Sequence, residues 1–138
     1  MGIPERYAGF PPLTISILNR LNGLPEILDS GGADLAYLFG SALSSRTPQD
    51  IDIAILAPSF DEVGSRVAEF LGTDRLDIVD LRHIGDSLLL HILRTGTLLF
   101  RRSTSLENGF EMEALRRIQD QAPWRRRQDE ILRRRSLA

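Results

Sequence analysis

Residues 50–56 carry two aspartates inside a run that otherwise reads as a buried β-strand. The run, DIDIAIL, is rich in β-branched residues, which favour strands. Side chains at positions i and i+2 of a strand lie on the same face, so Asp50 and Asp52 are predicted to stand side by side. Neighbouring carboxylates repel each other unless a cation lies between them or one of them is protonated. The run therefore predicts a cation site.

The cation that fits such a pair best is magnesium, which prefers carboxylate, water and phosphate oxygens. Gly40 and Ser41 precede the aspartates by a short gap. Glycine lets backbone amides approach phosphate oxygens, and serine adds a hydroxyl donor. A Gly-Ser pair alone is usually an ordinary turn, and an Asp-x-Asp motif alone is usually solvated. In this order and at this spacing, the two together predict a metal-dependent triphosphate site. Arg46, in the loop between them, is either a triphosphate contact or a solvated arginine.

The apolar spacing along the chain predicts an α/β fold. Period-two or continuously apolar runs predict four strands, over residues 35–39, 50–56, 75–81 and 97–101. Helical spacing predicts helices over residues 13–28 (one helix, or two with a break near Gly23), 61–71, 86–94 and 106–138, with Pro123 interrupting the last. We expect residues 1–102 to form one domain and residues 103–138 to be its helical C-terminal extension.

Composition excludes several classes of protein. At 138 residues and 42% hydrophobic content the chain suits one compact domain. It has no cysteine, which excludes disulfide scaffolds and cysteine-rich zinc sites. The amino-terminal sequence is unlike a secretory signal, and no apolar run approaches the roughly 20 residues that cross a bilayer. A cytoplasmic protein that binds no membrane is therefore expected.

The charges are unevenly distributed. Ten arginines and six acidic residues lie from Arg101 onward, whereas seven arginines and thirteen acidic residues precede it. The arginine triplets 125–127 and 133–135 favour a solvated or partner-docking tail over a nucleic-acid site, because no aromatic platform accompanies them. His83 and His91 are expected to be structural or surface residues, since their spacing suits no zinc-protease motif.

Taken together, the motifs resemble a known family. YLFGS (residues 37–41), DIDIAIL (50–56), LDIVDLR (76–82) and LLHILRTGTLLF (89–100) follow one another in the order typical of the minimal nucleotidyltransferases of the DNA polymerase beta superfamily. The resemblance covers residues 35–101 and is strongest to the antitoxins of the HEPT/MNT toxin–antitoxin systems. It implies a nucleotidyltransferase fold, with a small mixed sheet of three or four strands backed by helices.

The resemblance also implies roles for particular residues. Asp50 and Asp52 would bind two Mg²⁺ ions, and the third carboxylate would be Asp77, with Asp80 as a strand-end residue on the opposite face. Asp77 would complete one metal site and help to deprotonate the acceptor, while Gly40 and Ser41 would hold the triphosphate. The implied reaction transfers AMP from ATP to a tyrosine hydroxyl of a cognate HEPT ribonuclease toxin, which is thereby neutralised within a hetero-oligomer.

One departure from the family pattern leaves alternatives open. Eight residues, 42–49, separate the Gly-Ser pair from the first aspartate, where the family has about ten and commonly a glycine. This favours, as a first alternative, an inactive antitoxin that blocks its partner by binding alone. A second alternative is a nucleotidyltransferase that acts on a small molecule such as an aminoglycoside, for which the chain is short.

Overall fold

The structure, a computed structural model, describes residues 11–40 and 48–137, and for residues 121–130 and 132–137 it describes the backbone alone. Five α-helices and four strands form this part of the chain. The helices are α1 (Ile15–Arg20), α2 (Leu24–Gly31), α3 (Phe60–Leu71), α4 (Asp86–Thr95) and α5 (Thr104–Leu137), with a 3-10 turn (Leu21–Gly23) between the first two. The strands are β1 (Leu35–Phe39), β2 (Ile51–Leu56), β3 (Leu76–Asp80) and β4 (Thr97–Arg101).

The four strands form one mixed sheet in the order β3-β2-β1-β4. β1 pairs antiparallel with both β2 and β4, whereas β2 and β3 are parallel, with α3 as the crossover between them. This arrangement confirms the predicted fold class and the predicted number of strands. It also places β4 at one edge of the sheet and β3 at the other.

Helices cover both faces of the sheet, which explains why every residue of β2 is buried. On one face the isoleucines of β2 pack against α2 and α3, through Leu28, Val63 and Val67. On the other face the alternate residues of β2 pack against α4 and α5, through Leu89 and Ile92 among others. Asp52 lies on this second face, because it alternates with the isoleucines.

The prediction about Pro123 was wrong. α5 continues through this residue as one helix to Leu137 instead of breaking there. A proline inside a helix removes one backbone hydrogen bond and introduces a kink, but the residues on either side can keep their own i to i−4 bonds.

Within residues 11–40 and 48–137, none of the helices combines the length and apolar character that crossing a bilayer requires.

The first half of α5 is fixed to the sheet by polar and apolar contacts. The Tyr37 hydroxyl donates a hydrogen bond to Glu111 Oε1 at 2.7 Å, and Ala114 and Ile118 are buried against the same face. Burial and the hydrogen bond to the negative Glu111 raise the pKa of Tyr37. Further along the helix, Arg117 pairs with Asp86 of α4 at 3.3 Å.

Replacing Tyr37 with phenylalanine is expected to lower the free energy of unfolding by about 1–3 kcal/mol, because Glu111 loses a donor in a partly buried position. A double-mutant cycle with Glu111→Ala, measured by urea unfolding, isolates the pair. We expect a coupling free energy of about 1 kcal/mol or more. Strictly additive effects would show that the hydrogen bond does not hold α5 in place.

Candidate metal and nucleotide site

Three aspartates meet where β2 and β3 begin. The parallel register places Asp52 directly opposite Asp77, and Asp50 comes one residue before β2. One carboxylate oxygen from each of the three residues lies within 4.8 Å of the others. Asp50 and Asp52 are each only 2% exposed, and Asp77 is half-buried. The fold thus concentrates three acidic groups in a space that one or two cations would fill.

The electrostatics of this carboxylate cluster (Asp50, Asp52 and Asp77) are unfavourable without a counter-charge. The pKa of Asp52 is raised to about 7, first by burial and then by the negative charges of Asp50 and Asp77. Asp52 Oδ1 is buried and accepts no hydrogen bond from any residue within the described ranges. Buried carboxylate oxygens with spare lone pairs are the ligands that Mg²⁺ takes. The residues present therefore fit a divalent cation.

Asp80, the other candidate for the third carboxylate, lies apart from the cluster. Asp80 lies three residues after Asp77 in β3, and an odd spacing puts the two side chains on opposite faces of the strand. Its Oδ1 accepts the backbone N–H of Arg82 at 2.9 Å, and its Oδ2 lies 3.0 Å from His83 Nδ1. Asp80 therefore stabilises the turn after β3, and His83 belongs to that turn.

The backbone of Gly40 closes one side of the cluster. Gly40 follows β1 with a φ of +79°, and a Cβ atom built on it would lie 2.1 Å from Asp52 Oδ2. Only glycine allows both this conformation and this contact. Sequence reasoning assigned Gly40 to the triphosphate and missed its packing against Asp52. Ser41 and Arg46, the other two residues predicted to contact the triphosphate, lie outside the described residues.

Gly40→Ala is expected to displace the Asp52 carboxylate, since the added methyl group would overlap Oδ2. We expect nucleotidyl transfer to fall by on the order of 100-fold, as a misplacement of about 1 Å can cost that much. The free energy of unfolding should fall by about 1–3 kcal/mol, because alanine would be strained at this positive φ. Gly32→Ala is the matched control, because Gly32 also has a positive φ but has open space beside it. Equal losses of transfer in both variants would contradict the assigned contact.

A cleft of about 700 Å³ lies at the other end of β2 and β3. Its lining includes Pro58, Phe60, Asp61 and Arg82, and none of the three clustered aspartates contributes to it. His91, the second histidine, lies on α4 near Thr95 and belongs neither to this cleft nor to the carboxylate cluster. Because a triphosphate needs cations that it shares with carboxylates, the cluster and not the larger cleft is the candidate site of chemistry.

These features define a class of protein. Residues 23–105 match the family model described as Polymerase beta, Nucleotidyltransferase, and the chain belongs to this family. The matched range contains Gly40, the whole carboxylate cluster and all four strands. The resemblance seen in the sequence motifs is thereby confirmed. No curated protein sequence matches the chain.

Solved structures of toxin–antitoxin complexes are similar to the chain. A chain of a toxin–antitoxin complex with AMP-PNP shares 26% identity at a TM-score of 0.60, over 81% of this chain and 98% of that one. A chain from a complex of the tri-AMPylated Shewanella oneidensis HEPN toxin with an MNT antitoxin shares 25% identity at a TM-score of 0.60, over 84% and 98% of the two chains.

A third similar structure is a variant of the MntA toxin–antitoxin complex in which two aspartates, separated by one residue, are replaced by glutamate. Its chain shares 26% identity with this one at a TM-score of 0.60, over 81% of this chain and 98% of that one. The spacing of the two replaced aspartates is also the spacing of Asp50 and Asp52.

Proposed function

We propose that this chain is an antitoxin that transfers AMP from ATP to a tyrosine hydroxyl of a cognate HEPT-type ribonuclease toxin and thereby neutralises it. The carboxylate cluster is the observation that carries the proposal, because a binding-only protein has no need of three acidic groups within 4.8 Å. The similar solved complexes support the class of partner, since one holds an AMPylated HEPN toxin and another holds AMP-PNP.

The transfer step follows from the chemistry of ATP. The acceptor oxygen attacks the α-phosphorus, a bond forms between them, and the bond from the α-phosphorus to pyrophosphate breaks. The hydroxyl proton passes to a carboxylate, for which we propose Asp77, the most exposed member of the cluster. Asp50, Asp52 and Asp77 would hold two Mg²⁺ ions, which when bound orient the triphosphate and offset the charge on the departing pyrophosphate.

The remaining site residues have positioning roles in this proposal. Gly40 lets the chain turn against Asp52, and its neighbour Ser41 would donate a hydrogen bond to a phosphate oxygen. Arg46 would pair with the triphosphate. Residues 1–102 would form the nucleotidyltransferase domain, and residues 103–138 its helical extension, which the Tyr37–Glu111 hydrogen bond ties to the sheet.

Labelled ATP distinguishes transfer from binding. The full chain is incubated with Mg²⁺, a co-expressed HEPT-type toxin and ATP labelled in either the α- or the γ-phosphate. We expect the toxin to acquire the α-label and not the γ-label, and to lose ribonuclease activity in parallel. Replacement of the toxin's acceptor tyrosine by phenylalanine should abolish labelling. Acquisition of the γ-label would indicate a kinase and would contradict the proposal.

The shortened loop of residues 42–49 favours one other function, that of an inactive antitoxin which blocks the toxin sterically. The same experiment separates the two. A binding-only antitoxin would inhibit the toxin without ATP, and Asp50→Asn/Asp52→Asn would not relieve the inhibition. A nucleotidyltransferase acting on an aminoglycoside would instead label the drug, but no observation favours that substrate.

A further inference from the structure

Asp50 is the member of the carboxylate cluster that lies outside the sheet. β2 begins at Ile51, so Asp50 comes one residue before the strand, whereas Asp52 and Asp77 lie within β2 and β3. The hydrogen bonds of the sheet fix the backbone of a strand residue. The position of Asp50, which is only 2% exposed, depends also on the contacts that its neighbours make.

Two backbone hydrogen bonds flank Asp50. On one side, the carbonyl oxygen of Pro48 accepts a hydrogen bond from the N–H of Leu13 at 2.9 Å. On the other side, the N–H of Ile51 donates to the carbonyl oxygen of Arg75 at 3.0 Å. Leu13 and Pro48 are both buried, so the first of these bonds is anchored in the core. Asp50 is thereby held between the segment that carries Leu13 and the start of β3.

The side chain of Arg75 joins these two anchors. Its guanidinium group donates a hydrogen bond from Nη1 to the carbonyl oxygen of Pro11, in the same segment as Leu13. The backbone N–H of Arg75 also donates to Thr73 Oγ1 at 3.2 Å, which fixes the approach to β3. Together the contacts form a closed ring, called the Asp50 ring below, which consists of residues 11–13, 48–51 and 75.

A ring of this kind can raise the affinity of a metal site without touching the metal. A ligand whose backbone is already ordered loses less conformational entropy when a cation binds. Mg²⁺ also demands nearly ideal octahedral geometry, so its binding is sensitive to where each carboxylate stands. Replacing groups that only orient metal ligands commonly costs about 10- to 100-fold in metal affinity or activity.

We propose that Arg75 is a positioning residue for the carboxylate cluster, because its bond to Pro11 closes the Asp50 ring and holds Asp50 in place for a divalent cation. The inference rests on the proposed function, since it concerns the same cluster. Positioning and charge predict effects of opposite sign. Loss of ordering weakens the binding of a cation, whereas loss of a nearby positive charge would strengthen it.

Arg75→Met opens the ring, because methionine is a long side chain with no N–H donor. We measure Mn²⁺ binding to the full chain by the electron paramagnetic resonance signal of the free ion, and expect Kd to rise by about tenfold or more. Arg75→Lys keeps a donor for a single carbonyl, so its Kd should stay within about threefold of that of the wild type. Transfer by Arg75→Met at limiting Mn²⁺ should fall in the same proportion and recover as Mn²⁺ is raised.

Arg20→Met is the matched control. Arg20 Nη1 donates to the carbonyl oxygen of Leu71 at 3.0 Å, so this variant also loses an arginine-to-carbonyl bond and a positive charge, but outside the Asp50 ring. It should lose thermal stability and yet bind Mn²⁺ like the wild type. Hydrogen exchange of the metal-free protein gives a second readout. The N–H groups of Leu13 and Ile51 should exchange faster in Arg75→Met and not in Arg20→Met.

Three results would overturn the proposal: an unchanged or lower Kd in Arg75→Met, an equal rise in Kd in Arg20→Met, or an equal rise in Arg75→Lys. Failure of the proposed function gives a different result. In that case the wild type would bind Mn²⁺ no more tightly than Asp52→Asn, and both inferences would fall together. If Arg75 alone has been misassigned, the difference between the wild type and Asp52→Asn remains.

Discussion

Asp52→Asn is expected to reduce the rate of AMP transfer by on the order of 1,000-fold. Asp52 lies in the middle of the cluster's contacts, opposite Asp77 and against the backbone of Gly40. Asparagine has nearly the same shape but no charge, so the site would lose one of the negative charges that hold divalent cations. Losing metal-assisted stabilisation of several kcal/mol corresponds to about three powers of ten in rate. The initial rate of α-label transfer to the toxin measures the effect.

Asp80→Asn is the matched control for this substitution. Asp80 lies on the same strand as Asp77 but faces away from the cluster and stabilises a turn. Asparagine can still accept the hydrogen bond from the backbone of Arg82, so transfer should change by less than about threefold. Equal losses in the two variants, or full activity of Asp52→Asn, would remove the cluster from the mechanism.

Asp52→Asn is also expected to stabilise the metal-free protein at alkaline pH. Asp52 has a folded pKa of about 7 against an ordinary value of 3.8. Its contribution to stability is present below pH 3.8 and is lost as the pH rises through about 7, because the folded state must then bury a charge. At pH 8, Asp52→Asn should therefore raise the free energy of unfolding by on the order of 2–4 kcal/mol.

Thermal unfolding in EDTA at pH 5 and pH 8 measures this second effect. The gain from Asp52→Asn should be less than half as large at pH 5 as at pH 8, where it should correspond to several degrees in Tm. At pH 8, adding Mg²⁺ should make the wild type more stable than Asp52→Asn, since an ion that binds only the folded wild type stabilises it by mass action. A variant that is less stable than the wild type at both pH values without metal would show that Asp52 is not electrostatically frustrated.

Much of the site could be predicted because strand periodicity fixes which side chains share a face. The alternation of DIDI placed Asp50 and Asp52 together, and the opposite parity of Asp77 and Asp80 limited the third carboxylate to one of them. The family resemblance selected Asp77, and the register of β2 with β3 places it opposite Asp52. These features depend on local geometry, which a single sequence carries.

Other features depend on contacts between distant segments, and local patterns do not encode them. The approach of Gly40 to Asp52 requires the register of β1 with β2, in which Phe39 lies opposite Asp52. The Tyr37–Glu111 hydrogen bond joins residues that are 74 positions apart. Arg101 pairs with Glu107 at 2.9 Å and helps to fix the start of α5. The continuation of this helix through Pro123 ran against the local preference of proline, which predicted a break.

A crystal structure of the full chain with Mn²⁺ and a non-hydrolysable ATP analogue tests the central claim most directly. Manganese substitutes for magnesium and can be located by anomalous scattering. The account predicts anomalous peaks at about 2.0–2.3 Å from carboxylate oxygens of Asp50, Asp52 and Asp77, bridging them to the triphosphate. A nucleotide bound elsewhere, or carboxylates paired with arginines and lacking metal, would contradict it.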